Sequence, residues 1–468
     1  MKQEIGLLVV FLLIFLYDTF MSKKALKATA TFSAVVFALF TIWSFIFCTG
    51  DSAVSAFAGM YVSGAVMEAI KNILNVGALI IMIQAATWTS TEVQEPRRGE
   101  FFELLTITLF GMYLMISARH FLLFVIGLET ASLPIAAMVA FDKKSYESHE
   151  AAVKFLLTAV FSSAVFMMGL SFVYGLAGSL YFNEIALALA FVISGIGFKL
   201  SLVPFHLWTA DVYQGAPTSV TSYLSVISKG AAAFAFLVIL VQVFGQFYSH
   251  VWEWMLYALI ILTITVGNLF AIRQRNMKRF LAFSSISQAG YIMLGVEAFN
   301  ETGLAALMYY ILVYIFSNLA AFGVIQAIEN ATGKVDMDSY NGLSKTNPKL
   351  SFSMMLAMFS LAGIPPFAGF FSKFFIFTGA LQQGSIAIYI LVLIALINTI
   401  ISLYYYLLVV KAMYIKENET PIATFKATCS ERLGLIVTVA GIILLGIVSC
   451  TYNYLLDLTT SGSLFSAL

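Results

Sequence analysis

Residues 199–232 read KLSLVPFHLWTADVYQGAPTSVTSYLSVISKGAA. Lys199 sits in an apolar run that begins near residue 184, and Lys229 lies deep in a second run that continues to about residue 243. A helix needs about 20 apolar residues to cross a bilayer, and both runs are long enough. Pro204 interrupts the first, because proline lacks a backbone donor and clashes with the preceding turn. The stretch therefore predicts two membrane helices, one of them broken, each with a lysine inside the hydrocarbon region.

The rest of the chain extends this reading. It has 468 residues, 61% hydrophobic and 10% charged, with a mean hydropathy of +0.93. Soluble domains carry about 25% charged residues. The expected class is an all-α polytopic membrane protein with about 14 transmembrane helices, from a first span at 4–20 to a last at 433–457. A second broken span, 350–383, contains AGIPPFAGFF with Pro365 and Pro366. Broken helices at corresponding places in two halves suggest a transport site between repeats. The predicted division is three helices over 1–100, a five-helix repeat over 101–245, a second over 246–415 and a last helix over 416–468. Five is odd, so the second repeat would be inverted.

Charge patterning orients the bundle. Of the 25 Lys and Arg residues, 18 fall in loops on one side, among them Lys23, Lys24 and Lys27, and only Lys2 and Arg119 on the other. The positive-inside rule puts the rich side in the cytoplasm and both termini outside. The N-terminal apolar stretch reads as the first span rather than a removed signal.

Five lysines remain inside spans: Lys71, Lys154, Lys199, Lys229 and Lys373, with one mid-span carboxylate, Glu129. A charge at the bilayer centre costs about 2.5–3.5 kcal/mol, so six would cost on the order of 15–20 kcal/mol if all were central. Lysines and a glutamate in series suggest a proton path. Glu129, in FLLFVIGLETASLP, would mark that path, or alternatively hydrogen-bond between helices. Lys199 would hold a proton beside a carboxylate and release it when desolvated, or cap carbonyls freed at the break. Lys229 has small neighbours, Ser225, Ser228, Gly230 and Ala231, that admit close helices and water. Lys373 follows the second break. Lys154, four residues after Glu150, reads equally as an interfacial ion pair. Lys71, three residues after Glu68, reads as a surface pair. His206 beside Pro204 would shuttle protons or cap the loop, and Asp211 would cap the following turn.

Other chemistry finds little support. Cys48, Cys429 and Cys450 are scattered, and His120, His149, His206 and His250 are dispersed. Neither an iron–sulfur nor a heme pattern is indicated, nor a phosphate-binding glycine loop. The net charge of +1 implies no nucleic-acid partner.

The 199–232 string, with RNMKRFLAFSSISQAGYIMLG at 275–295 and LAGIPPFAGFFSKF at 361–374, resembles the antiporter-like subunit family of bacterial NADH:quinone oxidoreductase, respiratory complex I, on its subunit N branch. The resemblance covers roughly residues 100–415. DVYQGAP distinguishes it from sister branches L and M, and M usually has a glutamate where Lys373 stands. The family implies a fourteen-span fold with two inverted five-helix repeats. It implies proton-path roles for Glu129, Lys199, Lys229 and Lys373, with Lys154 and His206 secondary. Ala210 departs from the proline usual there, which touches loop geometry only.

The implied activity is proton translocation coupled to quinone reduction elsewhere in the complex. No cofactor is expected in this chain; NADH, FMN, iron–sulfur clusters and quinone are implied in partner subunits. The implied partners are neighbouring antiporter-like and small membrane subunits in the lipid bilayer of a bacterial inner membrane. The alternative is a subunit of a multi-subunit cation/proton antiporter, which shares the fold.

Overall fold

The computed structural model describes residues 1–21, 28–48, 54–91, 94, 97–177, 189–244, 252–418, 421–448 and 450–461. Lys23, Lys24, Lys27 and the first residues of the 184–213 span lie outside these. The described chain is nearly all helix.

Three helices come first: α1 (Lys2–Phe20), α2 (Thr29–Phe47) and α3 (Ala65–Trp88). A short antiparallel hairpin, β1 (Val54–Ala56) with β2 (Tyr61–Ser63), lies between α2 and α3. The next group is α4 (Arg98–Ser117), α5 (Phe121–Val139), α6 (Tyr146–Ala177), α7 (Leu189–Leu200), α8 (Leu207–Gly215), α9 (Thr218–Tyr223) and α10 (Lys229–Ile239). A second group follows: α11 (Trp252–Ala271), α12 (Met277–Glu297), α13 (Glu301–Thr332), the one-turn α14 (Leu343–Thr346), α15 (Pro348–Ala362), α16 (Ala368–Leu381) and α17 (Ile386–Tyr414). The chain ends with α18 (Cys429–Ile447) and α19 (Cys450–Ser461).

Eleven helices among the described residues are long and apolar enough to cross a membrane. The two broken pairs, α7/α8 and α15/α16, and the more polar α12 complete the fourteen expected. Polar side chains start several helices. Asn276 accepts from Lys278 N and Arg279 N, Asn300 from Gly303 N and Ser385 from Ile388 N, each satisfying donors that a helix start leaves unpaired. Thr428 and Glu431 form a reciprocal cap on α18.

The two groups pack alike. The first two helices of each, α4 with α5 and α11 with α12, make the most extensive helix pairings in the molecule. Glycines permit this. A Cβ on Gly111 would overlap the backbone of Ala131, one on Gly127 the backbone of α4, and one on Gly267 the backbone of Ser287. In each group the third helix, α6 or α13, packs against both halves of the broken one.

The expected last span, 433–457, is corrected. The helix stops at Ile447, where Val448 is extended, and α19 follows separately. CTYNYLLDLTTS is too short and polar to continue the span. It lies on α13 instead, with Tyr452 stacked on Phe375 at 3.6 Å between centroids.

Candidate functional site

Ser201, at φ +62°, turns the chain out of α7. Leu202 N donates to Gly197 O at 2.8 Å and Trp208 Nε1 to Phe198 O at 3.1 Å. Val203 N donates to Thr263 Oγ1 of α11 at 3.0 Å, tying the break to the second group. These bonds serve the polar backbone at the break, so Lys199 is not its cap. The Lys199 side chain is buried. Glu129, half-buried on α5, is the carboxylate whose charge acts on it. Among the described residues no ion pair joins the two. The expected pair lies within electrostatic range but not in contact.

Lys229 occupies the centre. Its span, Thr218–Val243, is buried along its most apolar stretch. A π-turn, Leu224–Ser228, precedes it; such turns insert a residue and are frequent at functional sites. Lys229 is 1% exposed. Its Nζ donates to Ser285 Oγ at 2.7 Å and to Ser285 O at 3.0 Å, and lies 5.7 Å from the centroid of the Tyr213 ring. His206 is half-buried, feels the charge of Lys229, and its Nδ1 has no hydrogen-bond partner among the described residues. His206 thus lies within electrostatic range of Lys229, with no hydrogen bond between the two among the described residues.

Lys373 sits one turn into α16. Its Nζ donates to Leu361 O at 3.0 Å and Ala362 O at 3.1 Å, the last carbonyls of α15. The capping considered for Lys199 belongs to Lys373. Tyr291 lies beneath it, 5.2 Å to the ring centroid. Lys373 also faces a cavity of about 10 Å³ lined by Gln288, Tyr310, Tyr314, Ser317 and Ser360, on the order of one water molecule. Polar side chains lead from there toward Lys229. Tyr310 OH donates to Gln288 Oε1, and Gln288 Nε2 donates to Tyr406 OH at 3.1 Å. Tyr314 OH lies 3.1 Å from Ser225 Oγ.

At the end where α9 and α12 begin, a polar vestibule of about 270 Å³ is lined by Asp142, Glu147, Gln214, Thr218, Lys278 and Glu329 among others. Thr218 donates to Glu329, which also pairs with Lys278 at 3.1 Å. Ser222 Oγ donates to Thr218 O at 2.8 Å, and Gln326 Nε2 to Ser219 Oγ at 2.9 Å. These hydroxyls belong to α9, which runs from the vestibule to the π-turn that precedes Lys229.

Two lysines stand apart. Lys154 is 43% exposed and pairs with Glu150 and Asp211, each at 2.8 Å. Asp211 is not a cap. It lies in the middle of α8, and its side chain bridges Lys154 and Arg279, the latter at 2.6 Å. Lys71 is corrected more strongly. It is fully buried, and its partner is Glu4 of α1, not Glu68. Ser117 Oγ accepts from it at 2.6 Å, and Tyr61 and Tyr113 flank it.

Sequence reasoning missed Ser285, Gln288, Tyr310, Tyr314 and the vestibule. The available signal was the polar run SSISQ in an otherwise apolar helix.

A buried lysine series threading two similarly packed helix groups, each with a broken member, defines an antiporter-like ion-translocating membrane subunit. The family model described as "NADH:quinone oxidoreductase/Mrp antiporter, TM" matches residues 118–402. The chain belongs to this family, within it to the subunit N group of NADH-quinone oxidoreductase. It is 53% identical to NADH-quinone oxidoreductase subunit N of Phocaeicola vulgatus, over 98% of both chains. It is 50% identical to the subunit N of Azobacteroides pseudotrichonymphae, over 97% of this chain and 96% of the relative. Among solved structures, respiratory complex I from Thermus thermophilus contains a chain with TM-score 0.79 and 30% identity, covering 95% of this chain and 97% of that one. A chain of the Mrp complex from Dietzia sp. has TM-score 0.84 at 19% identity, covering 99% and 97%, a likeness of fold alone.

Proposed function

We propose that this chain moves protons across the membrane within a NADH:quinone oxidoreductase, with Glu129, Lys199, Lys229 and Lys373 carrying the path. The observation that supports it best is Lys229: a wholly buried lysine whose hydrogen-bond acceptors among the described residues are the two oxygens of Ser285. Burying a lysine is costly in its charged form, so such a group readily exchanges its proton.

Protons enter from the basic end, cytoplasmic by the charge count, through the vestibule and the hydroxyls of α9. Lys199 keeps its proton while the charge of Glu129 is near. A rearrangement from the neighbouring subunit weakens that influence, and the proton passes to Lys229 through water and His206. It continues by Ser285, Gln288 and Tyr310 to Lys373, which releases it on the opposite side. Lys154, paired at the rim, has a secondary electrostatic part through Asp211 and Arg279. Electron transfer belongs to partner subunits holding NADH, FMN, iron–sulfur clusters and quinone. The membrane is the bacterial inner membrane, with both termini outside.

The cation/proton antiporter reading rests on fold likeness at 19% identity, whereas the sequence relatives at 50% and above are subunits N. Affinity purification of the tagged chain and vesicle assays separate the two. The proposal expects co-purifying NADH:quinone reductase activity and NADH-driven proton uptake without sodium. Sodium/proton exchange without reductase activity would contradict it.

A further inference from the structure

A groove of about 770 Å³ opens between the start of α15, the 421–428 segment and α18. Its two parts differ in chemistry. One end carries Lys349, Lys426 and Arg432; the wall beyond is Leu435, Ile436, Val439, Ala440 and Ile443. The three cations are exposed, and their side chains make no ion pair or hydrogen bond among the described residues. The nearby carboxylates are engaged. Glu431 caps α18, accepting from Thr428 N at 2.8 Å, and accepts from Asn330 Nδ2 at 2.9 Å. Glu417 pairs with Lys345 at 2.8 Å.

The mouth is a fixed frame. Asn347 Oδ1 accepts from Phe425 N and Asn347 Nδ2 donates to Ala423 O, both at 3.2 Å, while Thr424 Oγ1 donates to Thr346 O at 3.0 Å. Both α15 and α18 begin here, so two helix N-termini add to the positive potential. The wall is open: Ile436 is 66% and Ile443 38% exposed. From Arg432 to Ile443 the helix rises about 16 Å, close to one hydrocarbon leaflet, about half of a 30 Å core.

We propose that this groove is a binding site for an acidic phospholipid, of the phosphatidylglycerol or cardiolipin class. Its phosphate lies among Lys349, Lys426 and Arg432, and its acyl chains follow Leu435, Ile436, Val439 and Ile443. The charge calls for an anion, and an exposed apolar wall one leaflet deep calls for an acyl chain rather than a free ion. Basic pockets between membrane helices are the places where such headgroups are held.

The test uses the chain in its assembled complex. Wild type and a Lys349→Gln, Lys426→Gln, Arg432→Gln triple variant are delipidated and equilibrated with phosphatidylcholine vesicles containing phosphatidylglycerol or cardiolipin. Retained lipid is then counted by native mass spectrometry. Each basic residue at an anionic surface is worth about fivefold, so the triple variant should bind acidic lipid on the order of 100-fold more weakly. Phosphatidylcholine retention should not change. Ile436→Trp, which narrows the wall and leaves the charges intact, should also lower acidic-lipid retention. Millimolar inorganic phosphate should not compete. Equal retention by wild type and the triple variant would overturn the site, as would phosphate competition without acyl dependence. Crosslinking of Ile436→Cys to a neighbouring subunit instead of lipid would overturn it too.

Discussion

Lys229 Nζ lies 2.7 Å from Ser285 Oγ and 3.0 Å from Ser285 O, so among the described residues one residue of α12 supplies both acceptors of the central lysine. Ser285→Ala removes the side-chain acceptor and leaves the carbonyl. A buried donor that loses an acceptor costs about 1–3 kcal/mol. The expected result is a proton-uptake rate roughly tenfold lower at matched assembly, with Ser285→Thr recovering most of it. Unchanged uptake in Ser285→Ala would show that the hydroxyl does not position Lys229.

In the proposed path Glu129 acts on Lys199 through space, and among the described residues no direct bond joins them. Glu129→Gln should therefore leave assembly intact while strongly lowering proton translocation. Blue-native gels and NADH-driven uptake in vesicles read the two properties separately. Normal pumping by the assembled variant would reduce Glu129 to a packing role.

Glu4 and Lys71 form a buried ion pair between α1 and α3. Removing one partner of such a pair typically costs about 3–5 kcal/mol, whereas replacing both with apolar groups is often neutral. Lys71→Met and Glu4→Met should each lower thermal stability and complex yield, and the double variant should recover much of the loss. Additive losses in the double variant would show that the two charges are not coupled.

The fourteen-span bundle places the segment after α17 and the end of α19 on opposite sides. In a cysteine-free background, Glu417→Cys and Ser461→Cys should label from opposite faces of sealed vesicles, with Glu417→Cys on the cytoplasmic one. Labelling from the same face would contradict the span count.

The lysines and both breaks were legible in the sequence because charge and proline stand out against 61% hydrophobic residues. Their bonding was not. A helical side chain leans toward the N-terminus of its helix. Lys373, after its break, therefore reaches back to the freed carbonyls, while Lys199, before its break, leans away. Lys71 reads as paired with Glu68 because a linear chain reveals only local spacings such as i−3 and i−4; Glu4 is 67 residues away and meets it only when α1 packs against α2 and α4 beside α3. The α12 polar run was visible as composition, but its role needs the neighbouring Tyr310 and Tyr406, which come from other helices.

The central claim is that Lys229 exchanges a proton rather than standing as a fixed charge. The decisive measurement compares wild type, Lys229→Ala and Lys229→Arg for proton uptake and quinone-reductase activity in vesicles at matched assembly. Alanine removes the relay atom; arginine keeps the charge but does not release its proton at these pH values. The account predicts that both variants lose coupled pumping and that arginine gives no rescue. Full pumping by Lys229→Arg would contradict it.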